Sequence, residues 1–278
     1  MAGLAEPGAD MTCLVGLAEW RLPVTGTGAV RLAAAMGADG LQLDLGGPGR
    51  GEWVDAPNRI AALRAEARAR GVRLLALAGN HLNDIGLTSE PAVVNPLLER
   101  LLAAALALGV PLVFVPSFGR SAIDGPGMFT GTAEVLRPVA ALAQSRDLVL
   151  ANENVLPAHR ARVLVDRVGS PAFRLVLDTF NPILAGLRAE DLVAAAGDLL
   201  ADQVHLKDGP PAVGASPLLG SGAGHVADTV EALRTHRVPV HALVLENDYR
   251  DGDTARMAAD LAWARRWAGR LTTAEVRR

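Results

Sequence analysis

Residues 148–178 read LVLANENVLPAHRARVLVDRVGSPAFRLVLD. The stretch opens on an apolar run, Leu148 to Glu153, that turns acidic at its last residue. After Pro157 comes Ala158 to Val168, where Leu and Val recur at helical spacing between arginines, and Gly169 follows as a stop. A second apolar run, Phe173 to Asp178, again ends on an acid. Runs that stay apolar without alternating suit strands buried on both faces, which are parallel strands. A helix between two of them is the crossover that parallel strands require. The segment reads as one strand–helix–strand unit.

The same unit recurs in both directions. Upstream, Thr12 to Gly16, Gly40 to Asp44, Val72 to Ala78 and Pro111 to Pro116 read as strands. The helices between them read as Gly28 to Met36, Pro57 to Arg70, Ala92 to Leu108 and Thr132 to Ser145. Downstream, helices over Ala189 to Leu200, Val226 to Thr235 and Thr254 to Trp267 alternate with strands over Gln203 to Lys207 and Val240 to Glu246. Eight such units fill a chain of 278 residues, and a closed (β/α)₈ barrel takes about 250. The expectation is an α/β protein: a single TIM-barrel domain over 1–278, with a core of about 12–268 and a loose polar tail after Trp267. An open doubly wound sheet is the alternative topology.

Composition limits the function classes. Half of the residues are hydrophobic, and no run of about 18 is free of charge, Gly or Pro, so no membrane span is expected. Met1 to Asp10 lacks the basic start and apolar centre of a signal peptide. Cys13 is the single cysteine, which excludes an intrachain disulfide and points to a reduced, cytoplasmic setting. The net charge of −3 and 4% aromatic content give no basic, aromatic-studded face, so nucleic acid is not an expected partner. Almost every basic residue is Arg, and Lys207 is the one lysine. An ammonium and a guanidinium are not interchangeable at functional sites, so Lys207 stands out.

The later strands share a second pattern. Leu148–Glu153 ends in Glu153, Phe173–Asp178 in Asp178, and the last strand in Glu246, while Gln203–Asp208 carries His205, Lys207 and Asp208. Strand carboxyl ends gather on one rim of such a barrel, where active sites form. Alternation along a strand puts His205 and Lys207 on the same side. Taken singly, each acid reads equally as a turn residue or helix cap, and a strand histidine as a satisfied core residue. Four consecutive strands ending this way change the reading. Three carboxylates and an imidazole turned inward repel one another unless a cation joins them. Three oxygens and a nitrogen suit one divalent ion: Mn²⁺, Mg²⁺ or Co²⁺, with Zn²⁺ also admitted. By contrast, Gly220-Ser-Gly-Ala-Gly-His225 has His225 where a dinucleotide loop needs its third glycine.

At these residues the chain resembles the sugar isomerase/epimerase superfamily of xylose-isomerase-like barrels, which includes ketose 3-epimerases and inosose isomerases and dehydratases. The resemblance rests on Ala-Asn-Glu153-Asn, Leu-Asp178-Thr-Phe-Asn, Val-His205-Leu-Lys-Asp, Val-Leu-Glu246-Asn and the glycine-containing loop Pro217-Leu-Leu-Gly-Ser-Gly222. It implies that Glu153, Asp178, His205 and Glu246 hold one metal ion. It implies a hydroxyketone substrate, a small sugar or polyol, whose enediolate the metal stabilises while Glu153 and Glu246 act as base and acid. Barrels of this kind often form homodimers or homotetramers.

Two positions depart from the family. Asn181 stands where many relatives carry a histidine three residues after Asp178, and Lys-Asp-Gly-Pro-Pro after His205 lacks an arginine that several ketose epimerases use for distal hydroxyls. Both departures count against a standard ketose 3-epimerase and leave the metal ligands intact. Other rim candidates for substrate contact are Trp20, His81, Asn83, Phe118, Asn181 and Lys207, with Gln42 and Asp44 at the end of strand two. Lys207 also stands as a catalytic candidate beside His205. The competing readings are a lyase or dehydratase of the same superfamily, a metal-free Schiff-base aldolase using Lys207, and a sugar-binding barrel without catalysis.

Overall fold

The computed structural model describes residues 12–210 and 217–275. Eight strands form the barrel: β1 (Leu14–Ala18), β2 (Gly40–Asp44), β3 (Arg73–Ala78), β4 (Leu112–Pro116), β5 (Val149–Glu153), β6 (Phe173–Asp178), β7 (Leu200–Leu206) and β8 (Ala242–Leu245). Between and after them lie α1 (Thr27–Ala35), α2 (Pro57–Arg70), α3 (Leu82–Ile85), α4 (Pro91–Leu108), α5 (Pro126–Gln144), α6 (Ala158–Val168), α7 (Asn181–Leu184), α8 (Ala189–Ala196), α9 (Val226–Thr235) and α10 (Thr254–Glu275). The strands follow chain order and pair in parallel, and β8 closes onto β1. Closure leaves no sheet edge to protect.

Local chemistry sets the helix limits. Pro57, Pro91 and Pro126 open α2, α4 and α5, where the missing N–H costs nothing. Gly71, Gly109 and Gly169 end α2, α4 and α6 in the left-handed conformation. Inside the barrel, Gly16 and Gly40 on β1 and β2 make room for Leu75 of β3. A Cβ at Gly40 would lie 2.6 Å from Leu75 Cγ, and one at Gly16 2.6 Å from Leu75 Cδ1. Outside it, buried Leu, Val and Ala of the helices pack on the strands as one apolar layer. Helix α4 is long and apolar enough by composition to cross a membrane. Its Val94, Leu97, Leu98, Leu101, Leu102 and Leu108 are instead buried in that layer.

The structure moves element bounds furthest from the sequence reading in three places. The tail expected to be loose after Trp267 continues α10 to Glu275, since Trp267 and Leu271 pack on the core and Thr272 Oγ1 accepts from the Cys13 N–H at 3.3 Å. The helix expected to reach Leu200 stops at Ala196, and β7 starts at Leu200, with a register shift against β6 between Leu175 and Leu177. Helix α5 begins at Pro126, six residues ahead of the periodic stretch from Thr132, because Pro126 sits in the first turn, where its missing N–H costs nothing.

Candidate active site

The four expected strand-end residues meet at the carboxyl rim. Glu153 ends β5, Asp178 ends β6 level with His205 of β7, and Glu246 follows β8. All four are buried, and one donor atom from each lies within 4.8 Å of the others. His205 Nδ1 is 3.3 Å from Glu246 Oε2 and 3.6 Å from Glu153 Oε2.

Each residue is held by its outer atom. Asn181 Nδ2 donates to Glu153 Oε1 at 2.9 Å. The backbone N–H groups of Phe180 and Asn181 donate to Asp178 Oδ1. Trp20 Nε1 and the Nε and Nη2 of Arg21 donate to Glu246 Oε1 at 2.9–3.1 Å. His205 Nε2 meets Gln42 Oε1 at 2.9 Å. The inner atoms Asp178 Oδ2, Glu246 Oε2 and His205 Nδ1 are buried without a hydrogen bond. Buried polar atoms are rarely left so. A cation bonded at about 2.0–2.4 Å would satisfy them together, so the residues present fit a metal ion.

The histidine tautomer follows from a relay. Gln203 Nε2 donates to the Leu75 carbonyl at 2.9 Å, and a carbonyl can only accept. Gln203 Oε1 therefore accepts from Gln42 Nε2, also at 2.9 Å. That leaves Gln42 Oε1 facing His205, so Nε2 carries a proton and Nδ1 is the nitrogen left to give a lone pair to a cation at the centre.

The electrostatics call for positive charge. Burial, then the nearby Glu246 charge, pushes the Asp178 carboxyl up to about 7. Burial disfavours an imidazolium at His205, but Glu153 and Glu246 outweigh it and raise the ring to about 10. Against its own burial, Glu246 is held well below the usual carboxylate range by His205, Lys207 and Arg21.

Above the cluster opens a pocket of about 340 Å³, lined in part by Trp20, Asn83, Phe118, Asn181 and Lys207. Small-molecule sites start at about this size. Lys207 Nζ donates to Asn181 Oδ1 at 3.0 Å, so lysine, asparagine and Glu153 form one chain of contacts. Asn83 Oδ1 accepts from the Phe118 N–H at 2.9 Å, fixing two of the lining loops to each other. His81 is not among the lining residues; its ring packs edge-on against Trp53 and lies 3.3 Å from Asp84. Gln42 serves the relay, and Asp44 is buried with its carboxyl pushed up by burial.

Sequence reasoning missed Arg21, Gln203 and Phe114. Arg21 adjoins Trp20 in the chain, and Gln203 stands two residues before His205 on the same face, so alternation could have found it. Phe114 sits 5.2 Å from the His205 ring and 5.8 Å from Trp20, with nothing in its apolar strand to single it out. The Gly220–His225 loop wraps a carboxylate. Asp208 Oδ1 accepts from Gly209 and Gly224, and Oδ2 from Gly220 and Gly222, at 2.8–3.0 Å. Its amides are taken by an internal anion, which explains the glycines without a dinucleotide.

The model of the family described as xylose isomerase-like TIM barrel matches residues 30–267. The chain belongs to that family. A 2-epi-5-epi-valiolone 7-phosphate 2-epimerase from Actinoplanes sp. is 63% identical over 258 residues, covering 93% of this chain and 96% of that one. Among solved barrels of the xylose isomerase-like fold, a xylose isomerase domain protein from Planctomyces limnophilus superposes with a TM-score of 0.74 at 16% identity, over 93% of this chain and 97% of that one. A 3-keto-D-glucoside 4-epimerase from E. coli gives 0.70 at 19%, over 91% and 99%. At such identities these two share the fold. The xylose isomerase-like barrel was expected from the strand ends, and an enzyme of the isomerase and epimerase class fits the 63% identical relative.

Proposed function

We propose that this protein epimerises a phosphorylated cyclic polyol ketone, of the kind named for its relative, with one divalent metal ion held by Glu153, Asp178, His205 and Glu246. The observation that carries the reading is the buried cluster in which each residue is anchored by one atom and turns another, inner atom to a common centre. Three carboxylates and one imidazole suit Mn²⁺, Mg²⁺ or Co²⁺, with Zn²⁺ also admitted. The ion would supply Lewis-acid polarisation of the substrate carbonyl and its neighbouring oxygen.

The protein's own groups then move the proton. Glu153 and Glu246 flank the pocket from β5 and from the end of β8. One takes the proton from the carbon beside the carbonyl, and the other returns a proton to the opposite face, inverting that carbon. Asn181, tied to Lys207, keeps Glu153 Oε1 fixed; Trp20 and Arg21 do the same for Glu246 Oε1. Lys207, at the pocket wall, offers an ammonium to a substrate oxygen, and Trp20, Asn83 and Phe118 form further parts of the wall. Cys13 takes no part: it is buried, and burial pushes its thiol up to about 12.

The test is turnover of 2-epi-5-epi-valiolone 7-phosphate in D₂O by metal-loaded enzyme. The reading expects an isomeric product carrying solvent deuterium at the inverted carbon. Loss of water from the product would mark a dehydratase instead, and no exchange at any carbon would overturn the reading.

A further inference from the structure

The cations around the pocket are not evenly spread. Its lining includes Lys207 after β7, Arg250 after β8, Arg21 after β1 and Arg50 after β2, four neighbouring strands in the closed barrel. From β3 to β6 the lining is Asn80, Asn83, Pro116, Phe118, Glu153 and Asn181, with no cation. Two of the four cations are committed at the floor: Arg21 holds Glu246, and Lys207 holds Asn181. Arg50 and Arg250 stand at the rim.

Arg50 is presented by a purpose-built turn. Gly46, Gly47, Gly49 and Gly51 all have positive φ (85°, 129°, 77° and 101°), a backbone that other residues adopt only with strain. Gly47 N–H donates to the Gly51 carbonyl and Arg50 N–H to the Gly47 carbonyl, which closes a tight loop around Arg50. A Cβ at Gly46 would fall 2.4 Å from the Glu52 carbonyl oxygen, and one at Gly47 2.9 Å from the Trp53 ring. The anchors of Glu153, Asp178, His205 and Glu246 come from Trp20, Arg21, Gln42, Phe180 and Asn181, outside this loop.

Both rim arginines use their Nε–Nη2 edge on a loop carboxylate, Arg50 on Asp84 and Arg250 on Asp248. Those pairs are at the surface; the carboxylates are 45% and 39% exposed. Solvent reaches both carboxylates and screens the pairs, so an anion of higher charge entering the pocket can compete for each guanidinium. A phosphate dianion offers more charge and more acceptor oxygens than a carboxylate, and arginine matches it bidentately.

We propose that Arg50 and Arg250 form a phosphate clamp at the pocket rim, which receives the phosphate of the substrate while the reacting carbon lies over the metal cluster. The inference rests on the epimerase reading above and adds the residues that select a phosphorylated substrate. In the relative's substrate the phosphate is on carbon 7 and the inverted centre is carbon 2. The two groups are separate, so the phosphate belongs away from the floor, beside the rim arginines, whose present partners are solvent-reached loop carboxylates. Binding energy gained there holds the carbon in place for proton transfer.

The experiment compares 2-epi-5-epi-valiolone 7-phosphate with its dephosphorylated form on wild type, Arg50→Gln, Arg250→Gln and the double variant. The clamp predicts that each single variant lowers kcat/KM for the phosphate ester by roughly 10- to 100-fold, leaves kcat/KM for the free alcohol unchanged, and keeps the bound metal. Equal losses on both ketones, or no loss on the ester, would overturn it. If wild type turns over neither ketone, the epimerase reading fails by itself. Calorimetric titration with inorganic phosphate then decides the clamp alone: binding to wild type that the double variant loses supports it, and no binding to wild type, or equal binding to both, refutes it.

Discussion

Replacing Gln42 with leucine tests the link between the barrel interior and the proposed metal centre. Gln42, Gln203 and His205 are buried, at 0%, 1% and 0% exposure, so water cannot replace a lost partner. Leucine leaves His205 Nε2–H without an acceptor and Gln203 Oε1 without a donor. Each unsatisfied buried group costs about 1–3 kcal/mol, so the fold should lose about 2–6 kcal/mol in urea unfolding. The imidazole is also freed from its fixed tautomer and orientation, which should weaken metal binding about 10- to 100-fold in competition with a chelator. Gln42→Glu keeps an acceptor toward His205 and removes the donor toward Gln203, so it should recover metal affinity more than stability. A Gln42→Leu protein that binds metal as tightly as wild type and unfolds at the same urea concentration would refute the relay.

Three further outcomes follow from other parts of the molecule. Burial pushes Glu19 up to about 7 from 4.5 despite the backbone N–H groups of Gly26 and Asp44 that its carboxylate accepts; the folded state then binds the proton more tightly than the unfolded chain, so stability should fall by on the order of 2–3 kcal/mol as pH rises from 4.5 to 7, and Glu19→Gln should flatten that slope in pH-dependent denaturation. Asp208→Asn turns an NH₂ toward two of the four amides that Asp208 now satisfies and should cost about 2–4 kcal/mol, read as faster amide exchange over Gly220–Gly224. Lys207→Met should keep the metal but lower kcat by about tenfold or more through Asn181 and Glu153, and borohydride added during wild-type turnover should trap no adduct on Lys207.

The barrel was legible because its strands are buried on both faces. Continuous apolar runs such as Phe173–Asp178 and helices stopped by Gly71, Gly109 and Gly169 fix the repeat from residue types alone. Boundaries were less legible where a local signal has two meanings. Pro126-Gly127 lies ahead of any helical periodicity yet opens α5, and the residues around Leu200 suit either a helix end or a strand start. The inner cluster was legible because three acids and a histidine at four successive strand ends have no cheap structural explanation. Its anchors were not: Arg21 and Gln203 earn their place only through contacts with Glu246 and Gln42 that lie 225 and 161 residues away in the chain. The Gly220–His225 loop shows the reverse case, in which a motif resembling a ligand loop is explained by Asp208 within it.

The central claim is that Glu153, Asp178, His205 and Glu246 bind one divalent ion. The most direct test is elemental analysis of wild type, Asp178→Asn and Glu246→Gln, purified identically without chelator or affinity-tag metal and then reloaded with Mn²⁺, Co²⁺, Mg²⁺ or Zn²⁺. The account predicts near-stoichiometric metal in wild type and a marked loss in both variants while the fold persists. Wild type that takes up no metal under any of these conditions, or variants that hold as much as wild type, would contradict it.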